Sequence, residues 1–192
     1  DISGTAVIRS GASDPLKMAT TGPMANPAIT KTDKPLKEIA PDKAEAEARK
    51  LSGEFLVSQP AKQREILETL QDTKDSTGNF TQALIDLIPQ AKEEHRDLVR
   101  RALAERLSRQ TLAGLTKRLT DEDAEVRLAV VRAMGIKGDQ KAMPELIKLL
   151  TNSNEDLAEA AEQSLQMLTD GKDFGRNPQR WTEYFQNLKI RP

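Results

Sequence analysis

Cysteine is absent from the 192 residues, and histidine occurs once, as His95. The lack of cysteine excludes disulfides, cysteine-based metal sites and cysteine nucleophiles. One histidine cannot build a multi-histidine metal site, and it makes a histidine-dependent catalytic triad a poor interpretation. We expect His95 to be a solvated side chain near the start of a helix. The sequence therefore predicts no catalytic residues, no metal site and no cofactor.

Aromatic residues are also scarce: four Phe, one Trp and one Tyr. Alanine and leucine are abundant instead, which is typical of helices packed on helices. Positive and negative side chains nearly cancel, to a formal net charge of -1. This balance disfavours binding to nucleic acid or anionic membranes through bulk charge. No apolar run approaches the roughly 20 residues that a membrane-spanning helix needs.

Residues 1–35 hold Gly, Pro, Ser and Thr at close spacing. Such a segment buries too little apolar surface to offset its ordering entropy, so we expect an extended or disordered N-terminal arm. The arm is either a linker or a docking segment that becomes ordered on a partner. The chain begins at Asp1 rather than Met, which indicates a processed form or a fragment. Cytoplasmic location and export after signal removal both stay open.

Residues 36–192 carry good helix formers and an internal repeat. A shift of 31 residues places Leu115 on Leu146 and Val126 on Leu157, together with further apolar positions. The pattern predicts an apolar helix, a polar turn and a second apolar helix, repeated about three times, with a degenerate fourth unit earlier. One such hairpin cannot cover its own apolar face, so the hairpins should stack into a continuous core.

The stretch LAGLTKRLTDEDAEVRLAVVRAMG resembles a HEAT repeat. Asp121 lies in its turn, and Val126 with Arg127 follows one helical turn later, as in that family. The resemblance covers about 80–188. It implies an all-α fold, a short right-handed α-solenoid, in which Asp121, Val126 and Arg127 contribute to repeat stacking. The ending, LTDGKDFGRNPQRWTEYF, resembles that of many bacterial HEAT-like proteins.

The last segment, 176–192, is predicted to form a capping helix. Asn177 provides an N-cap and Pro178 the first helical position. Trp181, Tyr184 and Phe185 recur at helical spacing in this helix, and Phe174 lies just before it. These four aromatic residues should cover the open end of the solenoid. The alternative is an aromatic patch that contacts a partner.

Several arginines come from successive second helices, which line one face of a solenoid. The candidate partner-binding residues are Arg96, Arg100, Arg101, Arg127 and Arg132. Three interpretations stay open: internal ion pairs, an acidic protein partner, or nucleic acid. Glutamates interleave with these arginines, and stacking aromatics are absent there, which disfavours nucleic acid.

The leading hypothesis is a non-catalytic interaction or scaffold subunit of a multi-subunit assembly. It would bind protein partners through its N-terminal arm and one solenoid face. The alternative is a HEAT-like enzyme or accessory factor, either nucleic-acid binding or lyase-like. A self-assembling unit is a third hypothesis, because a solenoid with an open end can stack on itself.

Overall fold

A computed structural model describes the backbone of residues 36–190 and the side chains of residues 36–188. The predicted arm, residues 1–35, lies outside the described residues. Nine α-helices occupy the described range: α1 (Pro41–Val57), α2 (Pro60–Asp72), α3 (Asn79–Gln90), α4 (Glu93–Ser108), α5 (Leu112–Arg118), α6 (Ala124–Lys137), α7 (Met143–Leu149), α8 (Glu155–Leu168) and α9 (Pro178–Ile190). This confirms the predicted all-α class.

The helices pair into four hairpins within that range: α1/α2, α3/α4, α5/α6 and α7/α8. The second helices form a continuous row, in which α4 packs on α2 and α6, and α6 packs on α8. Among the first helices of the hairpins, α1 packs on α3. The C-terminal helix, α9, packs on α7. This confirms the predicted solenoid. The unit expected to be degenerate is a complete hairpin, and the handedness of the stack stays a prediction.

Short polar side chains fix where the second helices begin. The Asp123 carboxylate accepts a hydrogen bond from the backbone N–H of Glu125 at 2.8 Å, at the start of α6. Asn154 caps α8 in the same way, through the N–H of Leu157. These bonds satisfy amides that have no partner inside the helix. The acidic turn before α6 is therefore explained by capping.

Close approach of α6 and α8 depends on small residues. Gly135 lies inside α6, and a Cβ placed on it would come within 2.9 Å of the Cα of Ser164. The Ser164 hydroxyl donates to the carbonyl of Val131 at 2.9 Å, so this polar group is satisfied where it is buried. The next glycine, Gly138, has a φ of 74° and ends α6 in the left-handed region that favours glycine.

The aromatic residues near the C-terminus lie between α9 and the last hairpin. Trp181 is fully buried, and its indole N–H donates to the carbonyl of Gly175 at 2.7 Å. The Phe174 ring stands edge-on to Trp181, with ring centres 4.8 Å apart, and it also contacts Tyr184. The side-chain oxygen of Asn177 accepts from the N–H of Arg180, as an N-cap does. Phe174, Tyr184 and Phe185 are half-buried and pack against the core.

A largely buried arginine on α4, Arg106, joins the first two hairpins. The Arg106 guanidinium donates to the Asp75 carboxylate at 3.0 Å and to the Thr81 hydroxyl at 2.9 Å. It also donates to three backbone carbonyls at the end of α2, those of Leu70, Gln71 and Thr73. One side chain therefore caps α2 and ties the following loop to α4.

Asp75 organises that loop from inside. Its side chain is fully buried and accepts hydrogen bonds from the backbone N–H groups of Thr77, Gly78 and Phe80, at 2.8–3.1 Å. Burial opposes ionisation of this carboxyl. The hydrogen bonds from Thr77 and Phe80, with the charge of Arg106, nevertheless hold its pKa below the usual value.

The start of the described chain is attached to the same loop. Lys74 donates its backbone N–H to the carbonyl of Lys37 at 2.7 Å, and Ile39 donates to the carbonyl of Lys74 at 3.2 Å. This short parallel bridge fixes residues 37–39 beside the end of α2. Residues 37–39 are therefore attached to the loop that Arg106 and Asp75 organise.

Candidate partner-binding surface

Two of the predicted arginines stabilise the turns beside them. The Nε of Arg96, in the first turn of α4, donates to the carbonyl of Ala91 at 3.2 Å. The Nη1 of Arg127 donates to the carbonyls of Asp121 and Glu122, at 2.7 and 2.9 Å. Both interactions close the polar turn that precedes the arginine's own helix.

Arg100 links two repeat units. Its guanidinium binds the Glu125 carboxylate through two hydrogen bonds, of 2.8 and 2.6 Å, and it also contacts Asp97 at 3.2 Å. The hydrogen bonds to Glu125 raise the pKa of Arg100 further above its usual range. Such a forked pair between α4 and α6 fixes the register of the two helices. No local sequence signal indicates this pair, because the partners are 25 residues apart.

The repeat-stacking residues show where the units contact each other. Val126 is buried in the core between the hairpins. Arg127 occupies the repeat position of Arg100, but the hydrogen bonds found for it stay within its own unit. Ala158 holds the equivalent place in α8. In the described part of the chain, the forked arginine–glutamate pair therefore joins α4 to α6 and does not recur between α6 and α8.

The remaining two arginines differ in their surroundings. The Arg101 side chain is 58% exposed, and its Nε lies 3.9 Å from Glu105. Burial raises the pKa of Glu105, against the charges of Arg101 and Arg109. Arg132, on α6, is half-buried, and among residues 36–188 no hydrogen bond or ion pair is found for its side chain. Arg132 is thus the candidate whose donors are least used within the fold.

Two grooves lie side by side along these helices. The α6/α8 groove has a volume of about 210 Å³ and is lined by Arg100, Ala124, Glu125, Leu128, Arg132, Asn154, Asp156, Leu157, Glu159, Ala160 and Gln163. The α3/α6 groove, of about 370 Å³, is lined by Ile85, Asp86, Ile88, Pro89, Arg96, Arg100, Asp123 and Glu125. The Arg100–Glu125 pair lines both and stands between them.

The charges along these grooves are mixed. In the α6/α8 groove, Arg100 and Arg132 face three acidic residues, Glu125, Asp156 and Glu159. Glu125 is engaged by Arg100, whereas Asp156 and Glu159 are exposed on α8. The arginines of successive second helices therefore do not form a purely basic stripe, because acidic residues of the next unit interleave with them.

His95 is not the solvated side chain that we expected. It is 18% exposed, and its ring lies 6.4 Å from that of Phe55, at an interplanar angle of 80°. Phe55 belongs to the last turn of α1, so the imidazole lies beside the first hairpin. The expectation was wrong because the sequence does not show which face of α4 meets the first hairpin.

Among residues 36–188, no cluster of three or more His, Asp or Glu side chains is placed to hold a metal ion. In the same range, no helix has the length and apolar character needed to cross a membrane.

Residues 81–166 match the family model for HEAT repeats. The matched range begins in α3 and ends in α8, so it spans three consecutive hairpins and all of the residues that line the two grooves. No match was found among curated proteins.

Proposed function

We propose that this HEAT-repeat protein is a non-catalytic interaction or scaffold subunit of a larger complex. Its binding surfaces are residues 1–35 and the face that carries the two grooves. HEAT repeats commonly mediate protein–protein interaction, and the family is typically non-catalytic. The observation that carries the proposal is the pair of adjoining grooves on stacked, well-packed helices.

The composition of the grooves supports a protein partner. The apolar side chains of Ile85, Ile88 and Pro89 line one groove, and those of Leu128 and Leu157 line the other, with charged residues beside them. Protein interfaces combine apolar and charged side chains in this way. Helices held by a buried core also lose little entropy when a partner binds.

The arginine geometry disfavours nucleic acid. Arg96, Arg100 and Arg127 donate to acceptors within the fold, so fewer donors remain for phosphates. Acidic side chains beside them would repel a polyanion. Binding of a labelled DNA duplex at two salt concentrations checks this directly, because phosphate contacts give a steep salt dependence. We expect no binding at low salt.

Capture of partners tests the proposal. The full chain and a chain lacking residues 1–35 would be tagged and purified from cells that naturally produce the protein, with bound proteins identified by mass spectrometry. We expect a reproducible protein partner whose recovery falls when the arm is removed. Unchanged recovery would show that the arm does not contribute to binding. The absence of any specific protein partner would overturn the scaffold proposal. Circular dichroism should show that the chain lacking residues 1–35 keeps its helical fold.

A further inference from the structure

We infer that the α6/α8 groove binds a short partner segment in which one Asp or Glu is flanked by Lys or Arg. This inference rests on the proposed function, because it specifies the chemistry of the partner at that surface. It rests on two charged side chains of the groove, Arg132 and Asp156, for which no hydrogen bond or ion pair is found within the described residues. A polyacidic segment and a nucleic acid are the competing occupants.

The site for the partner's carboxylate is Arg132. Its guanidinium offers five N–H donors, and none of them has a described acceptor although the side chain is half-buried. The neighbouring Arg100 is already held by Glu125 in a forked pair. A carboxylate can accept two parallel hydrogen bonds from Arg132 in that same geometry, which is the arrangement that guanidinium groups favour.

The acidic residues of the groove determine what stands next to that carboxylate. Asp156 is exposed, and no hydrogen bond or ion pair is found for its side chain among residues 36–188. Glu159, one helical turn further along α8, is exposed as well. These two negative charges repel a run of acidic residues and attract Lys or Arg. The acidic residue of the partner should therefore be isolated and have basic neighbours.

The apolar lining makes the pair at Arg132 stronger than a fully solvated one. Leu128 is half-buried, and Leu157 and Ala160 are buried. A partner side chain over these residues excludes water from the ion pair, and removing one member of such a pair typically weakens binding at least tenfold. Asp156 and Glu159 would repel a nucleic acid, because its phosphate backbone has no basic groups to pair with these two carboxylates.

Selection from a phage-displayed library of random short peptides tests the inference on the immobilised full chain. We expect enriched peptides to contain one acidic residue flanked by basic residues. The best peptide, synthesised with a fluorescent label, should bind Arg132→Gln about tenfold or more weakly than the wild type. It should bind the control Arg101→Gln within about twofold, because Arg101 lies outside both grooves. Asp156→Lys should shift the selection toward peptides with several acidic residues.

Three results would overturn the inference. They are enriched peptides without an acidic residue, equal losses for Arg132→Gln and Arg101→Gln, and no enrichment over an unrelated protein. If a polyacidic peptide or a DNA duplex bound the wild type more tightly than the selected peptide does, the groove would be assigned to that competing occupant. If Arg132→Gln does not fold, the Asp→Asn or Glu→Gln version of the peptide gives the same comparison on the wild type. Partner capture that succeeds but is insensitive to Arg132 would leave the scaffold proposal standing while this inference fails.

Discussion

Replacing Arg106 with methionine should destabilise the fold by about 3–5 kcal/mol, the range for breaking a buried ion pair by removing one partner. The Arg106 side chain is 11% exposed and that of Asp75 is 0% exposed, so water screens the pair very little. Methionine keeps much of the side-chain volume. The cost therefore comes mainly from the stranded Asp75 carboxylate and from the carbonyls at the end of α2 that lose their donor.

Urea unfolding followed by far-ultraviolet circular dichroism measures this free energy. The matched control is Arg109→Met, at the C-cap of the same helix. Its pair with Asp72 also lies near the end of α2, but the two side chains are 36% and 38% exposed. A pair so accessible to solvent contributes less than about 1 kcal/mol. The double variant Asp75→Asn, Arg106→Met should recover part of the loss, because it no longer buries an uncompensated charge.

The reasoning is refuted if Arg106→Met costs less than about 1 kcal/mol, or if it costs no more than Arg109→Met. Either result would mean that the loop after α2 does not depend on Arg106. A double variant less stable than Arg106→Met alone would contradict the role assigned to the Asp75 charge.

Three further predictions concern the Asp75 carboxyl, the contact between α6 and α8, and Trp181. Because the folded-state pKa of Asp75 is lowered, its contribution to stability is present above about pH 4 and is lost as the pH falls through the folded-state value. Below that pH, the wild type should therefore lose more free energy of unfolding than Asp75→Asn. Urea titrations of both proteins at several pH values measure this difference. Gly135→Ala should cost about 1–3 kcal/mol in urea unfolding by forcing α6 away from Ser164. The control Gly53→Ala should gain about 0.5–1 kcal/mol, because nothing lies near its added methyl group. Trp181→Ala should cost about 3–5 kcal/mol by leaving a cavity under α9, and a cost below about 1 kcal/mol would show that α9 does not cap the core.

Much of the fold could be predicted because its signals are local. Apolar residues at helical spacing fix the buried face of each helix, and their repetition indicates that hairpins stack. The start of α9 was predicted from Asn177 and Pro178, because an N-cap acts on amides within three residues. The first hairpin was harder to identify, since its sequence does not align with the later units.

The interactions between hairpins could not be predicted in this way. Arg106 and Asp75 are 31 residues apart, and their pairing depends on how α4 lies against the loop after α2. In the sequence Arg100 and Arg132 are equivalent, each a basic residue on a second helix. Only the packed structure shows that Arg100 is held by Glu125, while Arg132 faces the α6/α8 groove.

Site-specific photocross-linking tests the proposed binding surface most directly. A photoreactive amino acid would replace Gln163, an exposed residue that lines the α6/α8 groove, and in a matched variant Lys148, an exposed residue on α7 outside both grooves. The experiment would be done with the full chain in cells that naturally produce it. We expect a protein adduct at position 163 that is absent at position 148 and is lost when Arg132→Gln is added. Equal adducts at both positions, or none at position 163, would contradict the assignment of this face to a protein partner.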